Sequence, residues 1–93
     1  MGQWYKVEVY RGHQGRGYSS PVQAYIFAND AAGVLERYKK MPGVKRSIRI
    51  RPFFPNILPL PLTEALGLER RIIEEGRISL NKARRSWYYP EII

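Results

Sequence analysis

Apolar and polar residues alternate with a period of two in two stretches near the start of the chain, which is the spacing of a half-buried β-strand. In residues 4–10, one side of this alternation is formed by Tyr5, Val7 and Val9. In residues 22–28, the two sides are formed by Val22, Ala24 and Ile26 and by Gln23, Tyr25 and Phe27. Glycines, serines and a proline fill most of residues 11–21, so this segment predicts a loop between two strands.

A helix is predicted to follow the second strand. Asp30 can accept hydrogen bonds from the free amides of a first helical turn. The i, i+3, i+4, i+7 spacing of a buried helix face is met by Ala31, Val34, Leu35 and Tyr38. The dipeptide Pro42-Gly43 would end this helix after Met41.

Residues 44–51 alternate again and predict a third strand. Its inward side would carry Val44, Ile48 and Ile50, and its outward side Lys45, Ser47, Arg49 and Arg51. Arg46 falls on the inward side of this alternation, where a frayed strand start or a pairing with Glu36 would accommodate it. The order β-β-α-β indicates the α+β class, with a small, mostly antiparallel sheet and one packed helix.

Four prolines make residues 52–62 an extended arm that cannot be a central strand. The arm also holds six large apolar residues, namely Phe53, Phe54, Ile57, Leu58, Leu60 and Leu62. We therefore expect it to pack against the sheet or the helix. Thr63 could cap a helix that runs to Glu75 and ends at Gly76, and Ser79 a second one that runs to about Tyr88.

The 93 residues are expected to form one domain, since a single core typically serves ~100–200 residues. Within it, residues 1–51 would be the β-β-α-β core, residues 52–62 the arm, and residues 63–93 a helical segment with a tail.

Residues 62–68 followed by Ile73 resemble the core of a helix-turn-helix, with Gly67 at the turn. The second helix of such a motif would carry Glu69, Glu74 and Glu75, which repel phosphates, against Arg70 and Arg71. We do not expect this element to read DNA.

Residue patterns that support catalysis or metal binding are scarce. The chain has no cysteine, which excludes a disulfide scaffold, a thiolate zinc site and a cysteine nucleophile. Its one histidine, His13, lies in the glycine-bearing loop with no obvious carboxylate to orient it. We expect no enzyme, no metal and no cofactor. Without a ~20-residue apolar run or a signal-peptide pattern, we also expect a cytoplasmic protein that does not contact membranes.

Charge is the most informative feature of the composition. The net charge is +8, and residues 30–51 alone carry seven bases against two acids. Such a balance indicates an anionic partner, of which nucleic acid is the commonest.

The residues predicted to contact phosphates are Lys39, Lys40, Lys45, Arg46, Arg49 and Arg51, with Arg11 and Arg16 of the glycine-bearing loop. Tyr25 and Phe27 could stack on bases if the sheet face opposite the helix is exposed. We expect the apolar arm, residues 53–62, to cover that face.

The sequence thus favours a non-enzymatic nucleic-acid-binding protein, with RNA preferred over DNA. The alternative is a protein-interaction module, or a small subunit of a larger assembly or homo-oligomer. In that case the arm and the aromatic segment 87–93 would dock on the partner.

Overall fold

A three-stranded antiparallel sheet and three helices are present in a computed structural model that describes residues 2–11, 20–41, 47–48, 51–52 and 56–90. In chain order the elements are β1 (Gln3–Arg11), β2 (Ser20–Ala28), α1 (Ala31–Tyr38), β3 (Ser47–Ile48), β4 (Arg51–Pro52), β5 (Asn56–Pro59), α2 (Leu62–Glu75) and α3 (Leu80–Arg85). Antiparallel strands with packed helices place the chain in the α+β class.

The central strand of the sheet is β1, which has β2 on one edge and β5 on the other. Both pairings are antiparallel, and they place Tyr5 opposite Ile26 of β2 and opposite Pro59 of β5. Pro59 has no backbone N–H to donate to a neighbouring strand, so β5 is suited to an edge of the sheet and not to its centre.

The continuous third strand expected over residues 44–51 is not what the structure contains. Ser47–Ile48 pairs antiparallel with Arg51–Pro52, and Ile48 lies opposite Arg51, so these residues belong to two short strands. Neither β3 nor β4 joins the main sheet. The two edges of β1 are instead taken by β2 and by β5 from the proline-rich arm, so the third strand of the main sheet comes from the arm.

Helix α1 begins as its sequence predicts, because the Asp30 carboxylate accepts a hydrogen bond of 2.8 Å from the Gly33 amide. Its buried face is narrower than expected, since Val34 and Tyr38 are buried but Ala31 is exposed. The helix ends at Tyr38, three residues before the predicted end.

The sheet packs on both of its faces. The first face carries the side chains of Tyr5, Val7, Val9, Ala24, Ile26 and Ala28, which form one core with Val34, Tyr38 and Met41. The second face carries Trp4, which is buried with Leu68, Ile72, Ala83 and Tyr88. Tyr25, Phe27 and Leu60 are partly buried against this second core. The aromatic end of the second face is therefore covered, and α2 and α3 supply much of the cover.

Helix α2 is continuous from Leu62 to Glu75 and passes through Gly67 without a turn, so the helix-turn-helix resemblance is wrong. The predicted cap is also wrong, because the helix follows Pro61 and has no side-chain cap. Its end is as expected: Gly76 adopts a left-handed conformation with φ of 69°.

Helix α3 starts at the predicted cap, where the Ser79 hydroxyl accepts from the Lys82 amide. It ends at Arg85 rather than at Tyr88, because the chain then turns back to the sheet edge and the Tyr88 backbone pairs with Tyr25. Among the described helices, none combines the length with the apolar character that a membrane span requires.

The described part of the proline-rich arm is attached to the sheet. In addition to the pairing of β5 with β1, Ile57 packs against the first core and Leu60 against the second. Leu58 and Leu62 remain 56% and 74% exposed. Phe53 and Phe54, on which the packing prediction also depended, lie outside the described residues.

Candidate nucleic-acid interface

The guanidinium of Arg37 joins the end of α1 to the end of α3. Its Nη1 donates to the carbonyl of Arg84 at 2.9 Å and to the carbonyl of Ser86 at 3.1 Å. These carbonyls lie at the C-terminal end of α3, where helical carbonyls lack intrahelical partners and the helix dipole favours a positive charge. Arg37 therefore supplies both hydrogen bonds and charge at that position.

This contact brings two basic segments of the chain together. Lys39 and Lys40 directly follow α1 and are exposed, while α3 carries three bases in its last turn and no acid. We call the combined set the α1–α3 basic surface, and its members are Arg37, Lys39, Lys40, Lys82, Arg84 and Arg85.

Not every member of the α1–α3 basic surface is available to a ligand. Nε and Nη2 of Arg84 donate to Glu69 Oε2 at 3.0 and 2.6 Å, and its guanidinium lies 5.1 Å from the centre of the Phe27 ring. Neither Lys40 nor Lys82 makes an ion pair with a residue that the structure describes, and both are exposed. Arg84 thus holds the surface in place, and the exposed lysines face solvent.

Glu69 stays ionised beneath this surface. Burial alone would raise the pKa of its carboxyl group, but the hydrogen bonds from Trp4 and Arg84 and the charge of Arg84 outweigh it and lower the pKa below its ordinary value. The indole N–H of Trp4 donates to Glu69 Oε2 at 2.9 Å. Since Trp4 is a core residue of β1, this carboxylate ties Arg84 to the sheet.

The residues expected to contact phosphates are only partly within the described chain. Lys39 and Lys40 lie on the α1–α3 basic surface. Lys45, Arg46, Arg49 and Arg16 lie outside the described residues, and for Arg11 and Arg51 only the backbone is described. Arg51 lies opposite Ile48 across a strand pair, so these two residues belong to different strands.

The two aromatic candidates differ in their surroundings. The Phe27 ring has Trp4 at 5.4 Å in an edge-on arrangement and Arg84 over its face, so its surroundings are occupied by the protein itself. Tyr25 is half-buried and lines an open cavity, with the Tyr88 ring 6.5 Å away.

Sequence reasoning missed the contribution of α3. The signal for it was present, because residues 77–93 carry four bases against one acid. What the sequence does not contain is the contact through Arg37, which spans 47 positions along the chain.

Among the described residues, no group of three or more histidines, cysteines, aspartates or glutamates is arranged to hold a metal ion. Comparison with protein-family models, with curated proteins and with solved structures finds no match to this chain.

Proposed function

We propose that this protein is a non-enzymatic nucleic-acid-binding protein that holds RNA, in preference to DNA, mainly through its phosphates. The observation that supports the proposal is the Arg37 contact, which joins the end of α1, where Lys39 and Lys40 follow, to the end of α3 with its three bases. A nucleic acid backbone presents closely spaced negative charges, and cations that neutralise them release bound counterions and so gain free energy.

The basic residues whose side chains the structure does not describe extend this proposal. Lys45, Arg46, Arg49 and Arg51 follow the end of α1 within the segment that carries a net charge of +5, while Arg11 ends β1 and Arg16 follows it in the chain. We assign them phosphate contacts on grounds of charge. The preference for RNA rests on Tyr25, which remains partly exposed beside Lys6, because unpaired bases free to stack are commonest in RNA.

A salt series with RNA and DNA oligonucleotides of one sequence tests the proposal. In the double variant Lys40→Gln, Lys82→Gln, we expect the slope of log affinity against log salt to become shallower by roughly 0.7 for each lost contact with single-stranded RNA. Arg70→Gln is the control, since Arg70 is exposed on α2 and makes no ion pair with a described residue. A flat salt dependence of the wild type would refute the proposal.

The triple variant Lys45→Ala, Arg49→Ala, Arg51→Ala measures how much residues 45–51 contribute to nucleic-acid binding. We expect weaker binding and a shallower slope, in a protein whose circular dichroism is unchanged. Unchanged affinity would remove these residues from the interface and leave the α1–α3 basic surface as the binding site.

A second candidate function is a protein-interaction module, and one observation favours it. Leu62, Leu66 and Ile73 lie on one side of α2 and are 74%, 59% and 62% exposed. The aromatic segment is less suited to docking, because Tyr88 is buried and Trp87 and Tyr89 pack against the first core. Light scattering of the wild type and of Leu66→Gln distinguishes this candidate: an assembly that the substitution disrupts would support it.

A further inference from the structure

Part of the second sheet face is left open by the helices. Across the sheet, Lys6 of β1 lies opposite Tyr25 of β2 on one side and opposite Leu58 of β5 on the other. Two residues earlier on β1, Trp4 is buried under α2 and α3. In the next row along this face, Tyr25 and Lys6 are half-buried and Leu58 is exposed.

Helix α2 forms a wall beside this row. Gly67, Leu68 and Arg71 line a cavity of about 340 Å³ together with Tyr25 and Lys6. A Cβ atom at Gly67 would meet nothing within 4 Å, so the missing side chain leaves open space at the wall. The volume lies within the range of ~300–1,000 Å³ that is usual for ligand clefts.

We propose that this cavity binds one unpaired nucleotide of a single strand, with its base on the Tyr25 ring and its phosphodiester between Lys6 and Arg71. The inference rests on the proposed function and names the part of the nucleic acid that this second site recognises.

The charges around the cavity fit one phosphodiester. Lys6 makes no ion pair with a described residue, while Arg71 is half exposed and its Nε lies 3.4 Å from Glu75. Glu64 also lines the cavity, and Glu75 is shared between Arg71 and Arg77, so three cations and two carboxylates leave a net charge near +1 around it. A net charge near +1 matches the single negative charge of an internal phosphodiester better than the nearly double charge of a terminal phosphate.

Tyr25 gives the cavity its preference for a base. An aromatic ring accepts any nucleobase by stacking, which contributes about 1–3 kcal/mol per base and is tolerant of sequence. In a duplex the bases are paired and stacked on each other, so their faces are not available to Tyr25. The α1–α3 basic surface, in contrast, needs only phosphates and does not discriminate between strands and duplexes.

The test uses a short single-stranded RNA that contains the fluorescent base 2-aminopurine, and a duplex of equal length. Stacking on Tyr25 should quench the fluorescence of the wild-type complex. We expect Tyr25→Phe to bind like the wild type, and Tyr25→Leu to bind the single strand roughly 5- to 150-fold more weakly, which is the stacking free energy converted to affinity. Duplex binding should be equal in all three proteins.

Gly67→Leu provides a variant that does not depend on the stability of Tyr25→Leu. Leucine favours the helix over glycine, so the protein should remain folded while the side chain fills the cavity. We expect loss of single-strand quenching and unchanged duplex binding.

The outcomes separate the two proposals. If the wild type binds neither RNA nor DNA, both fail. If binding is salt-dependent but neither Tyr25→Leu nor Gly67→Leu weakens single-strand binding relative to duplex binding, the α1–α3 basic surface stands and the nucleotide site at Tyr25 is refuted.

Discussion

The backbones of Tyr25 and Tyr88 are joined by two hydrogen bonds of 2.8 Å, with each amide donating to the other residue's carbonyl. This bridge attaches the segment after α3 to the outer edge of β2. It also positions the Tyr88 ring in the second core, where only 2% of the residue is exposed. The last described part of the chain is thus part of the sheet structure.

The Tyr88 hydroxyl extends this attachment to α2. It donates to Glu75, which also accepts a hydrogen bond of 3.0 Å from Arg77. The hydrogen bond from Tyr88 lowers the pKa of Glu75, and Arg77 lowers it further. Burial raises the pKa of the Tyr88 hydroxyl, and the neighbouring Glu75 carboxylate adds to this effect.

Removal of the Tyr88 ring should strongly destabilise the protein. Aromatic-to-alanine changes in cores cost about 3–5 kcal/mol, so we expect Tyr88→Ala to lower the free energy of unfolding by that amount. Tyr88→Phe retains the ring and should lower the free energy of unfolding by clearly less, because it removes only the hydrogen bond to the Glu75 carboxylate. Urea denaturation measures both, and equal losses in the two variants would contradict a role of the ring in the second core.

Stability should fall in acid below the ordinary carboxyl pKa. Glu69 and Glu75 both have pKa values below those of the unfolded chain, so the folded state binds protons less readily than the unfolded state. Their contribution is present above a pH of about 4.3 and is lost as the pH falls through the lower folded values. Thermal midpoints between pH 7 and pH 2 check this expectation.

The variant Glu69→Gln tests how much Glu69 contributes to the loss of stability in acid. It keeps the shape of the side chain and removes the titrating group that Trp4 and Arg84 stabilise. We expect a lower midpoint at pH 7 and a shallower fall toward pH 2. An identical pH profile in variant and wild type would show that Glu69 does not contribute to acid unfolding.

Two glycines of the α2 region should respond in opposite ways to alanine. Gly67 lies inside the helix with open space at its Cβ position, so Gly67→Ala should raise the free energy of unfolding by about 0.5–1 kcal/mol. Gly76 has φ of 69°, so Gly76→Ala should lower it by about 1 kcal/mol. Thermal unfolding of the two variants side by side measures both signs. Two shifts in the same direction would contradict the assignment.

Local residue patterns predicted the elements whose signal lies within a few positions. The alternation around Val7 and around Ala24 gave β1 and β2, and Asp30 and Ser79 marked the starts of their helices. These signals work because a strand face and a helix cap depend on neighbouring residues. The α+β class followed from them.

Apart from the cap at Thr63, the end of α1 and the turn at Gly67, the errors concern pairings between distant segments. The alternation at residues 44–51 resembles that of β1, yet the edge of β1 was filled by β5, whose proline content hid its strand character. Which segment pairs with the edge of β1 depends on the packing of Ile57 and Leu60 on the two cores. The periodicity of a segment does not show how it packs against distant residues. The same limit applies to Arg37 and α3, because a side-chain contact between distant helices leaves no local pattern.

Arg37 should matter for both stability and nucleic-acid binding. Its two hydrogen bonds to carbonyls are the described contact between the end of α1 and the end of α3, and hydrogen bonds from charged groups contribute about 1.5–3 kcal/mol. We expect Arg37→Ala to lower the free energy of unfolding by roughly that amount and to weaken RNA binding more than one lost charge explains. Arg37→Lys keeps the charge but loses the guanidinium that donates to both carbonyls. We therefore expect it to lose much of the free energy of unfolding that Arg37 contributes, and less of the RNA affinity.

Urea denaturation and a salt series on both variants, with Arg70→Ala as the one-charge control, measure these effects. If Arg37→Ala matched Arg70→Ala in stability and in RNA affinity, the α1–α3 basic surface would not depend on the Arg37 contact, and its lysines would act as independent surface charges.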